Sequence, residues 1–355
     1  MNSHIDFELP DELCATQPPE ARGKSRDDVR LLVIDRSNRQ WHHAQFNELA
    51  SFLRRSDLLV FNRSRTLPAV LTGSSTTLRT SIQIRLAERL IDGSWLALLV
   101  CGDDVSLPTN KLFACELHAG MKIQFPEGLQ ADVLTRDAAI PRLWRIRFNR
   151  SHEALLELLY RHGHPVWYEH LSEQWDIAFY QNVYASEPGS AEMPSAGRAF
   201  TWRMLFDLKR QGVRSTSILL HTGLSSYLDD DLDASHPASE EEYEIDAEAA
   251  DAINKAHMAG GRVVAVGTTV VRALESAADE KGFIKPTHSY TRMHIHAEHR
   301  LRCVDGLITG LHEPQASHLD LLAAFVSNPL LFDAYNDAIA RKYLWHEFGD
   351  LNLII

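Results

Sequence analysis

Residues 247–278 restrict the possible folds more than any other stretch of the chain. An acidic helix beginning near Ala247 is predicted to close at Gly260-Gly261, because glycine accepts the left-handed turn that ends many helices. The apolar run Arg262-Val263-Val264-Ala265-Val266 follows, then Gly267-Thr268-Thr269, then a second helix over Val270–Ala278. A short apolar run bounded by glycines suits a strand buried on both faces. Helix, buried strand, tight turn and helix in succession predict an open α/β layer, in which ligands bind beyond the carboxyl ends of the strands.

Two more strand ends of this kind are visible. Asp57-Leu58-Leu59-Val60-Phe61 breaks at Asn62-Arg63-Ser64-Arg65, and Ser217-Ile218-Leu219-Leu220 ends in His221-Thr222-Gly223. Between Thr66 and about Arg150 the pattern changes to short alternating runs, such as Ser81–Leu86, Trp95–Val100 and Leu143–Phe148. Gly, Asp, Asn and Pro separate them, which predicts a small antiparallel barrel or sandwich. From Ser151 onward strands and helices alternate again.

The chain has 355 residues, 45% of them hydrophobic and 24% charged, so two domains with sizeable cores are expected. Cys14, Cys101, Cys115 and Cys303 are scattered, which argues for a reducing compartment and against a zinc ribbon or a disulfide framework. No apolar run approaches the roughly 20 residues of a membrane span, and the first six residues carry no secretory pattern. The expectation is a cytoplasmic protein without a membrane partner. Net charge is −12, yet it is unevenly spread: Asp229–Asp251 is acidic, whereas Arg63–Arg150 carries a surplus of Arg and Lys. Such a surplus suits phosphate contacts, and equally an ordinary solvated surface.

The Gly267-Thr268-Thr269 turn, with free N–H groups and two hydroxyls at a helix start, favours an anion. Arg272 lies one turn further on, with Glu275 three residues beyond it to orient the guanidinium or take an amino group. Spacing leaves a second reading open, in which Thr268 is only an N-cap and Arg272–Glu275 a solvated pair. His221, at a strand end, is placed as a general base or donor, although a lone His is commonly structural. His294, His296 and His299, two of them on one face of a predicted strand, have no Cys or paired carboxylate nearby, so no metal site is expected. The chain lacks GxGxxG, GxxxxGK[ST] and GxSxG patterns, which disfavours dinucleotide enzymes, P-loop NTPases and α/β-hydrolases.

The full string Gly260 to Ala277 resembles the signature of the queuosine-pathway S-adenosylmethionine:tRNA ribosyltransferase-isomerase family. Further pieces follow in that family's order: Phe7–Leu13, Arg26-Asp27, Asp57–Asn62 with Arg65 and Pro68, Glu187–Ser190, Pro194-Ser195-Ala196-Gly197, Val304–Thr309 with His312 and Pro314, and Phe348-Gly349-Asp350. The resemblance implies an α/β main domain formed by residues 1–65 and 151–355, with an inserted small antiparallel β-barrel domain at 66–150. It implies transfer and isomerisation of the ribosyl unit of S-adenosylmethionine onto a 7-aminomethyl-7-deazaguanine in tRNA, giving epoxyqueuosine, adenine and methionine. The expected partners are then tRNA, at its anticodon region, and S-adenosylmethionine as co-substrate, with no other cofactor and a monomeric chain. Motif position and strand-end placement together assign catalytic roles to His221, Glu241 and Arg272. They assign substrate contacts to Asn62, Arg65, Ser195, Thr222, Gly223, Gly267, Thr268, Thr269, Glu275 and His312.

Some loops depart from the family pattern. Ala199 and Ser239 stand where the family has His, Ala297-Glu298-His299 replaces a Pro-Gly-Tyr turn, and Gly310-Leu311-His312-Glu313-Pro314 replaces Asn-Phe-His-Leu-Pro. These changes keep two alternatives in view: a paralogue acting on a free deazapurine or other small amine, and a non-catalytic nucleoside- or RNA-binding module.

Overall fold

The structure, a computed structural model, describes residues 6–75, 77–105, 113–114, 116–224 and 241–355. Strands and helices are each numbered in chain order. Among the described residues nine strands form one sheet: β1 (Arg30–Asp35), β2 (Gln40–Gln45), β3 (Leu58–Asn62), β13 (Arg214–Leu220), β14 (Glu241–Ile245), β15 (Val263–Val266), β16 (Thr287–Thr291), β17 (Gly306–Gly310) and β18 (Leu351–Ile354). Their spatial order is β16-β14-β13-β3-β15-β17-β18-β1-β2. The centre, β13-β3-β15-β17, is parallel, and β14 and β16 extend one edge antiparallel. The carboxyl ends of four strands therefore open on the same side.

Alternation along these strands explains why both faces are covered. Leu58, Val60, Ile218, Val263 and Ala265 pack on one face against Ala249, Ile253 and Ala256 of α3 (Ala247–Met258) and Val270, Val271 and Leu274 of α4 (Thr268–Ala277). Leu59, Phe61, Val264 and Val266 point the other way, onto Phe46, Phe200 and Met204 and Leu208 of α2 (Trp202–Arg210). A strand covered on both faces needs a continuous apolar run, which is the pattern these segments carry. Caps set the helix starts: Asp246 accepts from Ala249 N at 2.8 Å, and Thr201 from Met204 N at 3.2 Å.

The second sheet is built from β5 (Val70–Ser75), β6 (Thr80–Arg89), β7 (Trp95–Cys101), β8 (Phe113–Ala114), β9 (Lys122–Gln124), β10 (Gln130–Arg136) and β11 (Leu143–Phe148). Pairing of β11 with β7 closes six of these strands into a barrel, and β8 adds to the edge of β7. Ile82, Ile84, Leu86, Leu98 and Ile146 belong to its apolar core, which extends onto Leu155 and Leu159 of α1 (His152–His162). The α/β class with a small antiparallel barrel is thus the fold found. A short parallel pair, β4 (Ser64–Thr66) with β12 (Glu187–Ser190), lies just past the carboxyl end of β3.

Three expectations are corrected. Cys101 is disulfide-bonded, while Cys14 and Cys303 are free. His294 and His296 do not share a strand, because β16 ends at Thr291; Thr291 Oγ1 takes Met293 N, and the Met293 carbonyl takes Arg272 Nε. The α4 helix begins at Thr268, so Gly267 rather than Thr268 holds the cap position.

Candidate active site

Four strand ends supply the site. Asn62, at the end of β3, is buried and spends its amide on the neighbouring strand: Nδ2 donates to the Leu220 carbonyl at 2.8 Å, and Oδ1 accepts from Leu220 N and Ser64 N, both at 3.1 Å. It locks β3 to β13 and so fixes where His221 emerges.

His221 is held from behind. Its Nδ1 lies 2.7 Å from Ser64 Oγ, which lies 2.6 Å from Ser190 Oγ, which accepts from Thr222 N at 3.0 Å. Thr222 Oγ1 donates to the Glu192 carbonyl at 2.7 Å, so Thr222 ties the end of β13 to the segment after β12. Gly189 lies flat against the imidazole, and a Cβ there would overlap the ring. Burial pushes the His221 pKa down to about 4, so the ring is neutral at pH 7. With Nδ1 engaged by Ser64, Nε2 has no hydrogen-bond partner among the described residues. Sequence reasoning missed Ser64 and Ser190 as partners of His221, although both sat inside strings singled out above.

A cavity of about 590 Å³ opens beside this ring, between the barrel and the β14–β16 edge. His221, Gly223, Glu241, Tyr290 and Arg292 line one wall; Ala87, Glu88, Leu96, Ile140, Leu143 and Arg145 are among the barrel residues opposite. The size suits a nucleoside-scale ligand. None of the barrel wall was singled out from sequence, since alternation along a strand does not reveal which outward positions meet another domain.

Glu241 forms an ion pair with Arg272 Nη1, and Arg272 Nε donates to the Met293 carbonyl at 2.9 Å. Arg272 Nη2 is buried without a hydrogen-bond partner among the described residues. The expected Arg272–Glu275 pair is not formed. Glu275 is 1% exposed and accepts Arg302 N, Cys303 N and Val304 N at 2.9, 2.9 and 3.0 Å, with His299 Nε2 3.5 Å away. It fastens the chain before β17.

Gly267 adopts φ 104°, a left-handed conformation that frees the first N–H groups of α4 beyond the end of β15. The Ser195-Ala196 turn faces it, with Ala196 Cβ 3.6 Å from where a Gly267 Cβ would stand. Thr268 and Thr269 are half-buried in the first turn. His312, past the end of β17, lies 2.8 Å from Thr309 Oγ1 and stacks on His318 with ring centroids 4.6 Å apart. Burial pushes its pKa well below the ordinary histidine value. Arg65 stands apart from the cavity, 5.9 Å from the Tyr160 ring centroid.

The structure therefore gathers His221, Gly223 and Glu241 on one cavity wall and joins Arg272 to them through Glu241. Asn62, Thr222 and Glu275 are turned to the backbone. Ala199 is buried in the apolar cluster with Phe200 and Phe46. Ser239 lies outside the described residues.

Comparison with known proteins agrees with this architecture. The family model described as "Queuosine biosynthesis protein" matches residues 2–354. The S-adenosylmethionine:tRNA ribosyltransferase-isomerase of Carboxydothermus hydrogenoformans is 36% identical over 353 residues, covering 99% of this chain and 98% of that protein. The protein of the same name from Symbiobacterium thermophilum is 34% identical over 356 residues, covering 99% of both chains. The crystal structure of the S-adenosylmethionine tRNA ribosyltransferase of Thermotoga maritima superposes with a TM-score of 0.54 at 28% identity, covering 99% of this chain and 100% of that one. The chain belongs to the queuosine biosynthesis protein family.

Proposed function

We propose that this protein transfers and isomerises the ribosyl moiety of S-adenosylmethionine onto the 7-aminomethyl-7-deazaguanine base of tRNA, giving epoxyqueuosine and releasing adenine and methionine. Full-length similarity to relatives bearing that activity in their names supports the reaction class. The observation that carries the reading is the cavity beside His221, where a neutral imidazole shares one wall with Glu241, the ion-pair partner of Arg272.

The chemistry asks for few protein groups. A sulfonium acidifies the neighbouring C5′ protons, so a base can remove one, and the C5′ carbanion drives opening of the ribose as adenine leaves. The acceptor amine adds to the ribosyl unit, and epoxide closure expels methionine as the thioether. In the tautomer whose Nδ1–H donates to Ser64 Oγ, His221 Nε2 carries the lone pair that accepts a proton. A base of pKa about 4 is weak, and its value here lies in being unprotonated and fixed in place. Arg272 Nη2, together with the N–H groups and hydroxyls of Thr268 and Thr269, suits a substrate carboxylate. Glu241 orients Arg272, and its carboxylate complements the sulfonium. Ser195 and Gly267 shape the turn alongside. His312 and Arg65 belong to the periphery of this reading.

For tRNA, the barrel offers Arg145 and Arg147, both within 2.6 Å of Asp92, and α1 offers Arg161, within 2.5 Å of Glu127. Phosphates would compete with these carboxylates for the guanidinium groups. The test is mass spectrometry after incubating the protein with S-adenosylmethionine and, separately, unmodified-precursor tRNA or a free aminomethyl-deazapurine. Release of adenine and methionine with a ribosyl-derived mass on tRNA supports the proposal. Modification of the free base alone would replace it with a small-molecule transferase, and no release with either would leave only a binding role.

A further inference from the structure

Helix α2 carries aromatic rings on the face it turns to solvent. Its inner stripe, Met204 and Leu208 with Leu205 beside them, packs onto the sheet in the cluster around Phe61 and Phe200. At about 100° per residue the opposite stripe holds Trp202, Arg203, Phe206, Lys209 and Arg210, and all five are exposed. Trp202 is 53% and Phe206 57% exposed, one helical turn apart, with ring centroids 6.1 Å from each other and planes 28° apart. Single exposed rings are ordinary, whereas a stacked pair on one helix face marks a contact surface.

Cations bracket the rings. Arg203 is 69% exposed yet anchored, its Nη2 2.9 Å from the buried carboxylate of Asp27, so its guanidinium is fixed at the edge of the stripe. Lys209 and Arg210 close the far end, and Arg210 pairs with Asp207, the one carboxylate of the helix. The charge continues past α2. Arg55 Nε lies 2.9 Å from where a Cβ of Gly212 would stand. Arg214 N donates to the Asp57 carbonyl at 3.1 Å, and Arg54 N to the Asp57 carboxylate at 2.7 Å, so both residues join the same corner. The side chains of Arg54, Arg55 and Arg214 are exposed. In a chain of net charge −12, this corner runs against the average.

The position of the stripe relates it to the site. The Ser195-Ala196 turn that faces Gly267 leads into α2, and α2 ends just before β13. The stripe therefore starts at the rim where the strands' carboxyl ends open and runs away from it.

We propose that the outer face of α2 is an RNA-docking surface, on which unpaired bases stack against Trp202 and Phe206 while Arg203, Lys209, Arg210 and Arg55 hold the flanking phosphates. The inference rests on the reading that tRNA carries the acceptor base, and it adds a contact apart from the barrel arginines. Rings interleaved with cations suit a single-stranded loop, since every base offers a π-face and every linkage a negative charge. A second copy of the chain fits worse. A two-fold contact would bring this face against itself and set the same cations opposite one another.

The test measures binding of the full chain to fluorescently labelled precursor tRNA over a range of salt concentrations. Trp202→Ala/Phe206→Ala should weaken binding at least roughly tenfold, the scale of losing stacked bases, with the salt dependence unchanged. Lys209→Gln/Arg210→Gln should weaken it too, and should flatten the slope of log affinity against log salt by about 1–2. S-adenosylmethionine affinity should hold in both, because none of the four residues lines the cavity. Trp202→Gln/Phe206→Gln replaces the alanine pair should that pair fail to fold. Tight tRNA binding by wild type that both folded double variants retain would overturn this surface and leave the tRNA reading standing. Wild type that binds no tRNA would remove that reading and the surface with it. Variants that keep full tRNA affinity but lose self-association in sedimentation would assign the face to a second copy and overturn the proposal.

Discussion

His221 Nδ1 lies 2.7 Å from the hydroxyl of Ser64, and that hydroxyl is itself 2.6 Å from Ser190. Two buried serines thus stand behind the one imidazole that faces the cavity from the end of β13. The pair orients the ring without charging it, since no carboxylate hydrogen-bonds Nδ1. Ser64→Ala should lower kcat roughly tenfold or more, with KM for S-adenosylmethionine little changed. That is less than the ~10²–10⁴ expected for losing a base outright. Steady-state kinetics check it, and a change confined to KM would contradict the positioning role.

Gly189 gives a sharper probe of the same contact. Its α-carbon is packed so closely on the His221 ring that a methyl group cannot be added without moving the imidazole. Gly189→Ala should cost at least roughly tenfold in kcat, the scale of a misplaced catalytic group, and leave overall helicity intact. Unaltered kcat would show that the ring position does not matter.

The pH dependence has a definite sign. Burial lowers the His221 pKa to about 4 in the folded protein, below the ~6.5 of an exposed histidine. Between those values the unfolded chain binds the extra proton and the folded one does not. Stability contributed by the neutral ring is therefore present above about pH 6.5 and is lost as pH falls toward 4. Thermal midpoints of wild type and His221→Asn should converge on acidification across that window. Parallel curves would mean the ring is not buried as described.

How much of this was legible in the sequence follows from where the information lay. The α3–β15–α4 succession was readable because a buried parallel strand must be apolar on both faces and its turn must use glycine; Gly267 takes φ 104°. Glu275 was misread because helical spacing puts Arg272 within reach, whereas the carboxylate reaches instead for three N–H groups of a segment 27–29 residues away. Glu241 was picked out only by resemblance to a family motif; its pairing with Arg272 depends on how β14 joins β13.

Glu275 should be a stability residue. Replacing its buried carboxylate by Glu275→Gln removes charge-assisted bonds to the 302–304 backbone and should cost ~2–3 kcal/mol, read from urea unfolding. S-adenosylmethionine affinity of the folded variant should stay close to wild type. A selective loss of affinity without loss of stability would return Glu275 to the ligand site.

Arg272 should behave in the opposite way. Its fork gives Nη1 to Glu241 and Nε to Met293, leaving Nη2 for a carboxylate. A lysine cannot serve three acceptors in that plane. Arg272→Lys should raise KM for S-adenosylmethionine roughly ten- to hundredfold, the scale of one charge-assisted hydrogen bond. An unchanged KM would remove Arg272 from the carboxylate clamp.

The most direct measurement is a single-turnover experiment with S-adenosylmethionine and precursor tRNA, read by tRNA mass, for wild type and His221→Ala in parallel. The account predicts a ribosyl-derived mass gain with wild type and a rate lower by ~10²–10⁴ with His221→Ala, while S-adenosylmethionine still binds the variant. Equal rates from the two proteins would contradict it and move the proton-transfer step away from this cavity wall.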